Sequence, residues 1–197
     1  MRDLAVGLME VVEATTGHRF CSTLRSTLEI VNQSYQLSLA WGFAWKTKTL
    51  CVEGHITAHV KPMTLFSTFP SLKTLILSCS AVKSHLSALA PPTDTPYRVC
   101  PKLEHVIICD EHDEGAGKGI LEALVEIAQT RQDVKGYQKF TSVRLFSPEP
   151  RERRSTEELV KKLKELVADG NFELVEGRRA RGWNVDEYFY EGASHHE

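Results

Sequence analysis

Hydrophobic residues in the middle of this chain recur in one phrase, apolar-x-x-apolar-x-apolar. Its clearest copy is Phe69-Pro70-Ser71-Leu72-Lys73-Thr74-Leu75-Ile76-Leu77. The copy Cys100-Pro101-Lys102-Leu103-Glu104-His105-Val106-Ile107-Ile108 repeats it down to the proline at the same offset. Gln138-Lys139-Phe140-Thr141-Ser142-Val143-Arg144-Leu145 lacks the proline, and Thr47-Lys48-Thr49-Leu50-Cys51-Val52 is a weaker copy. From Leu50 to Leu75, Val106 and Val143 the steps are 25, 31 and 37 residues. The end of each phrase alternates with period two and favours β-branched residues, so each predicts a short strand.

Between the phrases the period changes to that of a helix. Ile120, Leu121, Leu124, Val125, Ile127 and Ala128 form one apolar stripe, and Leu159, Val160, Leu163, Leu166 and Val167 form another. The second is expected to open on a Ser155-x-x-Glu158 capping box and to close at Asp169-Gly170. Shorter helices are predicted at Pro62 to Phe66 and Val82 to Ala90, and a last strand at Phe172 to Glu176. Near the N-terminus, Leu4, Leu8, Val11 and Val12 also fit a helical stripe; residues 15–46 show no clear period.

Strands alternating with helices long enough to reverse direction imply parallel strands. The recurring phrase favours an irregular β/α solenoid of leucine-rich-repeat type over a doubly wound, flavodoxin-like sheet. A doubly wound sheet would bury both strand faces. Here the outward positions are mixed: Thr74, Ser78, His105, Ser142 and Arg144. The expected fold class is therefore α/β in a single domain. It comprises an N-terminal helical or irregular unit (1–46), β/α repeats (47–177) and a capping tail (178–197). Trp183, Tyr188, Phe189 and Tyr190 would supply the apolar cover that an open solenoid end requires.

Lys and Arg number 24 against 26 Asp and Glu, a net charge of −2 that gives no global pull toward nucleic acid or anionic membrane. No apolar run approaches the roughly 18 residues of a membrane span. Cys21, Cys51, Cys79, Cys100 and Cys109 are odd in number and contain no C-x-x-C pair, which predicts free thiols and a cytoplasmic or nuclear location.

Candidate chemistry is thin. Glu114-Gly115-Ala116-Gly117-Lys118-Gly119 follows a strand and opens a helix, but Gly119 stands where a phosphate loop needs Ser or Thr. The acidic run Asp110, Glu111, Asp113 and Glu114 lacks the spacing of a calcium loop. His55 and His59 sit four apart without the glutamate of a metalloprotease helix. Cys109 and His112 are close in sequence only, and no G-x-S-x-G elbow occurs. No catalytic residue, metal ligand or cofactor is expected, and the chain reads as a non-enzyme.

The L-x-x-L-x-L phrase resembles leucine-rich repeats. The F-P-x-L-K-x-L and C-P-x-L-E-x-V openings resemble the C-terminal region of fungal F-box/leucine-rich-repeat proteins, over residues 47–147 and more loosely to about 177. Two features depart from that pattern. His55, Ser80, Glu111 and Pro148 stand where standard repeats carry a turn-forming Asn or Cys, and no F-box segment precedes the repeats. The resemblance implies substrate recognition for a ubiquitin ligase, with the Skp-type adaptor not expected to bind this chain directly.

Aligned phrases stack the outward positions into rows. Thr49, Thr74, His105 and Ser142 form the first, Cys51, Ile76, Ile107 and Arg144 the second, and Glu53, Ser78, Cys109 and Phe146 the third. An exposed apolar middle row flanked by polar ones has the make-up of an interface centre, the alternative being that a loop or the C-terminal tail covers this face. The predicted partner-binding residues are Cys51, Ile76, His105, Ile107, Cys109, Arg144 and Phe146, and the predicted partner is a protein. The alternative is a small α/β enzyme or ligand-binding domain using the loops after the strands, around Glu53, Cys79, Cys109 and Ser147.

Overall fold

The computed structural model describes residues 7–12, 19–24, 47–54, 62–79, 82–91, 98–109, 116–147 and 153–176. Among these, β3 (Thr49–Gly54), β4 (Thr74–Cys79), β5 (His105–Cys109), β6 (Ser142–Ser147) and β7 (Phe172–Glu176) are strands. They pair in parallel and in chain order. The connections carry α1 (Pro62–Ser67), α2 (Val82–Ser87), α3 (Ala116–Asp133) and α4 (Arg153–Leu166), with a 3-10 turn at Ala168–Gly170. The chain is α/β. No described helix is long and apolar enough to cross a membrane.

The register is the one the repeated phrase dictates. Leu50, Leu75, Val106, Val143 and Phe172 stand opposite one another in turn, as do Cys51, Ile76, Ile107, Arg144 and Glu173. Alternation then sends Leu50, Leu75, Val106 and Val143, with Val52, Leu77, Ile108 and Leu145, to one face, where all are fully buried. All four helices pack on this face, through Phe66, Leu86, Leu124 and Leu163 among others. Each buried leucine-sized side chain contributes about 1.5–3 kcal/mol by leaving water.

Each phrase also enters its strand in the same way. The Lys48 carbonyl accepts from the Lys73 and Thr74 amides, the Lys73 carbonyl from Glu104 and His105, and the Glu104 carbonyl from Thr141 and Ser142. Before two of these points a tight turn closes with Leu72 N–H donating to Phe69 O and Leu103 N–H donating to Cys100 O. Pro70 and Pro101 occupy the turn position whose backbone angle proline presets. The first apolar slot of each phrase, Leu72, Leu103 and Phe140, is buried. In the weak copy that slot holds Thr47, equally buried.

Two expectations change. The N-terminal stripe is not helical: β1 (Gly7–Val12) and β2 (Arg19–Leu24) are antiparallel strands, and β1 pairs with β3. Apolar residues at Leu8, Met9, Val11 and Val12 fit either period. An open sheet edge decides between them, because β3 presents unpaired backbone groups and so short a helix gains little alone. Residues 7–12 and 19–24 therefore contribute strands to the same sheet, and the remainder of the expected N-terminal unit lies outside the described residues. The capping box also shifts, since α4 begins at Arg153 and places Ser155 inside the helix. The tail beyond residue 176, with Trp183 and its aromatic neighbours, lies outside the described residues.

Candidate functional site

The side of the sheet away from the helices carries the predicted rows. The apolar part of its middle row is not exposed. Cys51 and Ile76 retain 1% of their surface and Ile107 6%, and the three form an apolar cluster with half-buried Phe146 packed against it. No described helix contributes a side chain to this cluster. Cys109 and Ser78 in the next row are buried as well. The expectation of a solvent-facing apolar stripe is thus corrected: period two fixes which face a side chain takes, but not whether that face is covered.

What stays accessible is the polar end of the rows, where strands begin. His105 Nδ1 lies 2.9 Å from Ser142 Oγ across the β5–β6 pair. His105 Nε2 lies 3.9 Å from Glu104 Oε2. A carboxylate beside Nε2 favours the proton there, leaving Nδ1 to accept from the Ser142 hydroxyl. Burial holds the His105 imidazole below its ordinary value, Glu104 pulls it partly back, and Lys73 pushes it down again. Lys73 Nζ reaches Glu104 Oε2 at 3.2 Å. With its amide nitrogen turned toward them, Gln138 donates to Lys102 O and Glu104 Oε1. One row over, Arg144 Nε pairs with Glu173 Oε2 at 3.0 Å, with the arginine side chain 38% exposed.

Of the predicted residues, the fold brings His105 and Arg144 to this half-exposed strip and puts Cys51, Ile76, Ile107 and Cys109 beneath cover. Lys73, Glu104 and Glu173 join the strip without having been predicted. Their signal is present in the sequence: Lys73 and Glu104 hold the same place in successive phrases, one strand apart. Glu173 follows from carrying the alignment into the last strand, where it stands opposite Arg144.

Ser142, His105 and Glu104 juxtapose a hydroxyl, an imidazole and a carboxylate. Acyl transfer also needs backbone donors aimed at a developing oxyanion. The Thr141 and Ser142 amides are already bonded to the Glu104 carbonyl. In this geometry the three side chains are engaged in hydrogen bonding and charge pairing. Cys51, Cys100 and Cys109 are buried and outside any disulfide, and burial pushes the Cys100 thiol up to about 12. That thiol is inert at neutral pH. Among the described residues no three His, Cys, Asp or Glu side chains cluster as a metal site. His55, His59, the acidic run at 110–114 and His112 lie outside the described residues, as do the turn positions His55, Ser80, Glu111 and Pro148.

Comparison with known proteins finds no matching family model, no matching curated protein and no matching solved structure.

Proposed function

We propose that this chain is a protein-binding scaffold of leucine-rich-repeat-like β/α units, non-catalytic, with its contact surface on the strip around His105, Ser142 and Arg144. The observation that carries the reading is the repeated unit itself: parallel strands β3–β7 in chain order, one backbone bonding pattern where β4, β5 and β6 begin, and the described helices on one face. Helices pack about 8–10 Å apart and strands about 4.8 Å apart, so the layer formed by the described helices on one face favours curvature with the strands inside. A ligand crevice in an open α/β sheet needs a reversal of strand order, and the parallel strands described have none. That weighs against the enzyme alternative.

The likeness of the F-P-x-L-K-x-L and C-P-x-L-E-x-V openings to fungal F-box/leucine-rich-repeat proteins gives the reading its specific form, recognition of a substrate for a ubiquitin ligase. Affinity purification of the tagged chain followed by mass spectrometry tests it, run beside Arg144→Glu. That change sets a second carboxylate against Glu173 on the surface and is expected to lose the partner while lowering the thermal midpoint by only a few degrees. Recovery of every partner with the variant removes the strip from the interface. A direct, stoichiometric complex with the Skp-type adaptor contradicts the expectation that this chain does not recruit it.

A further inference from the structure

The loops that lead into β5 and β6 are clasped together. The Gln138 amide donates to Pro101 O at 2.9 Å, and the Val99 amide donates to Tyr137 Oη at 3.2 Å. The Arg98 guanidinium lies over Gly136, in the space a Cβ there would fill. This rim displays Arg98, Lys102, Lys135 and Lys139, all exposed. None of the four makes an ion pair among the described residues. Beneath them Arg131 is 1% exposed, and its Nη2 donates to Cys100 O and Leu103 O. Its Nε and Nη1 find no acceptor.

Among the described residues the acids on the rim are Glu104, engaged by Lys73 and Gln138, exposed Asp133, and exposed Asp169, which follows the Ala168 amide that donates to Phe140 O. A chain of net charge −2 thus concentrates positive charge at one end of its sheet. A buried cation below the surface cations adds to their field because little solvent screens it. Val134, one of two exposed large apolar side chains among the described residues, sits beside Lys135.

We infer that this rim binds an acidic peptide segment of a partner protein, with Val134 meeting an apolar residue between its carboxylates. The inference rests on the scaffold reading and adds to it a second surface and the chemistry of what it recognises. Single-stranded nucleic acid fits less well, since the aromatics here, Tyr137 and Phe140, lie under Arg131 rather than open to bases. One valine is a weak anchor for a membrane.

The test uses the full chain and a short fluorescein-labelled peptide of repeated Glu-Asp-Leu, read by anisotropy at low salt. Lys102→Glu with Lys139→Glu is expected to weaken binding at least about tenfold. Lys161→Glu with Lys162→Glu, on the exposed side of α4, is expected to leave it unchanged. No binding by the unmodified chain, equal loss in both pairs, or stronger binding to duplex DNA or phosphatidylserine vesicles overturns the inference. In the affinity purification, a rim variant that keeps every partner while Arg144→Glu loses them sinks the rim alone. If neither variant loses a partner, the scaffold reading falls with it.

Discussion

Leu75 has no exposed surface, while its neighbour Thr74 keeps part of its own in water. Leu75→Ala is expected to cost about 2–5 kcal/mol through lost burial and the cavity left behind. Thr74→Ala stays within about 0.5 kcal/mol. Urea unfolding of the two variants checks the strand phase, and equal losses refute it. His105 yields a pH prediction. Its lowered affinity for protons means that the unfolded chain takes up a proton more readily than the folded one. Stability is therefore full above about pH 6.5 and declines as pH falls below it. His105→Gln flattens that part of the slope, measurable as urea midpoints between about pH 5 and 7.5; an unchanged slope refutes the assignment. At this scale the sequence is legible for direction and blind to cover. Ile76 and Ile107 fall on the predicted face, yet no local pattern says what lies over them.

Among the elements, the join between α3 and β5 depends on one side chain. Arg131 leaves the last turn of α3, holds two carbonyls of the Cys100–Leu103 turn, and stacks on Tyr137 at 4.9 Å and Phe140 at 5.1 Å. Burial lowers its pKa to about 10, against the partial support of Cys100 and Tyr137, so it remains charged at neutral pH. Cys100 itself adopts a φ of 42°, a strained value for a residue with a Cβ. Arg131→Ala removes the carbonyls' donor and opens a cavity, and is expected to cost about 3–5 kcal/mol. Arg131→Met fills the volume and deletes the two orphan donors, so it costs less. Equal loss in a thermal denaturation series would mean that hydrogen bonding, not volume, decides the effect. Nothing in the sequence marks Arg131, because a helix-terminal arginine is ordinarily a solvated one. The N-terminal strands are hidden for another reason. Leu8 to Val12 carries both periodicities, and only the distant edge of β3, its register partner, selects between them.

For the molecule as a whole, equivalent positions recur where β4, β5 and β6 begin, so one unit can be removed at matching points. Deleting residues 74–104 joins Lys73 to His105 and sets β5 beside β3 in the register β4 now holds. The Phe69–Leu72 turn, of the same form as Cys100–Leu103, then takes its place under Arg131. The shortened chain is expected to unfold cooperatively with a smaller denaturant slope, in proportion to the surface it no longer buries. A molten or aggregated product would show that the units are not equivalent.

The sequence-order sheet also bears on how this chain could lengthen over evolutionary time. Steps of 25, 31 and 37 residues lead to identical strand registers, so the differences in length lie in the connections, whose described helices all sit on one flank. That flank can accept insertions as neutral variation, whereas a single added residue inside a strand would turn every later side chain to the opposite face. Drift and selection are thereby partitioned between the two sides of one sheet.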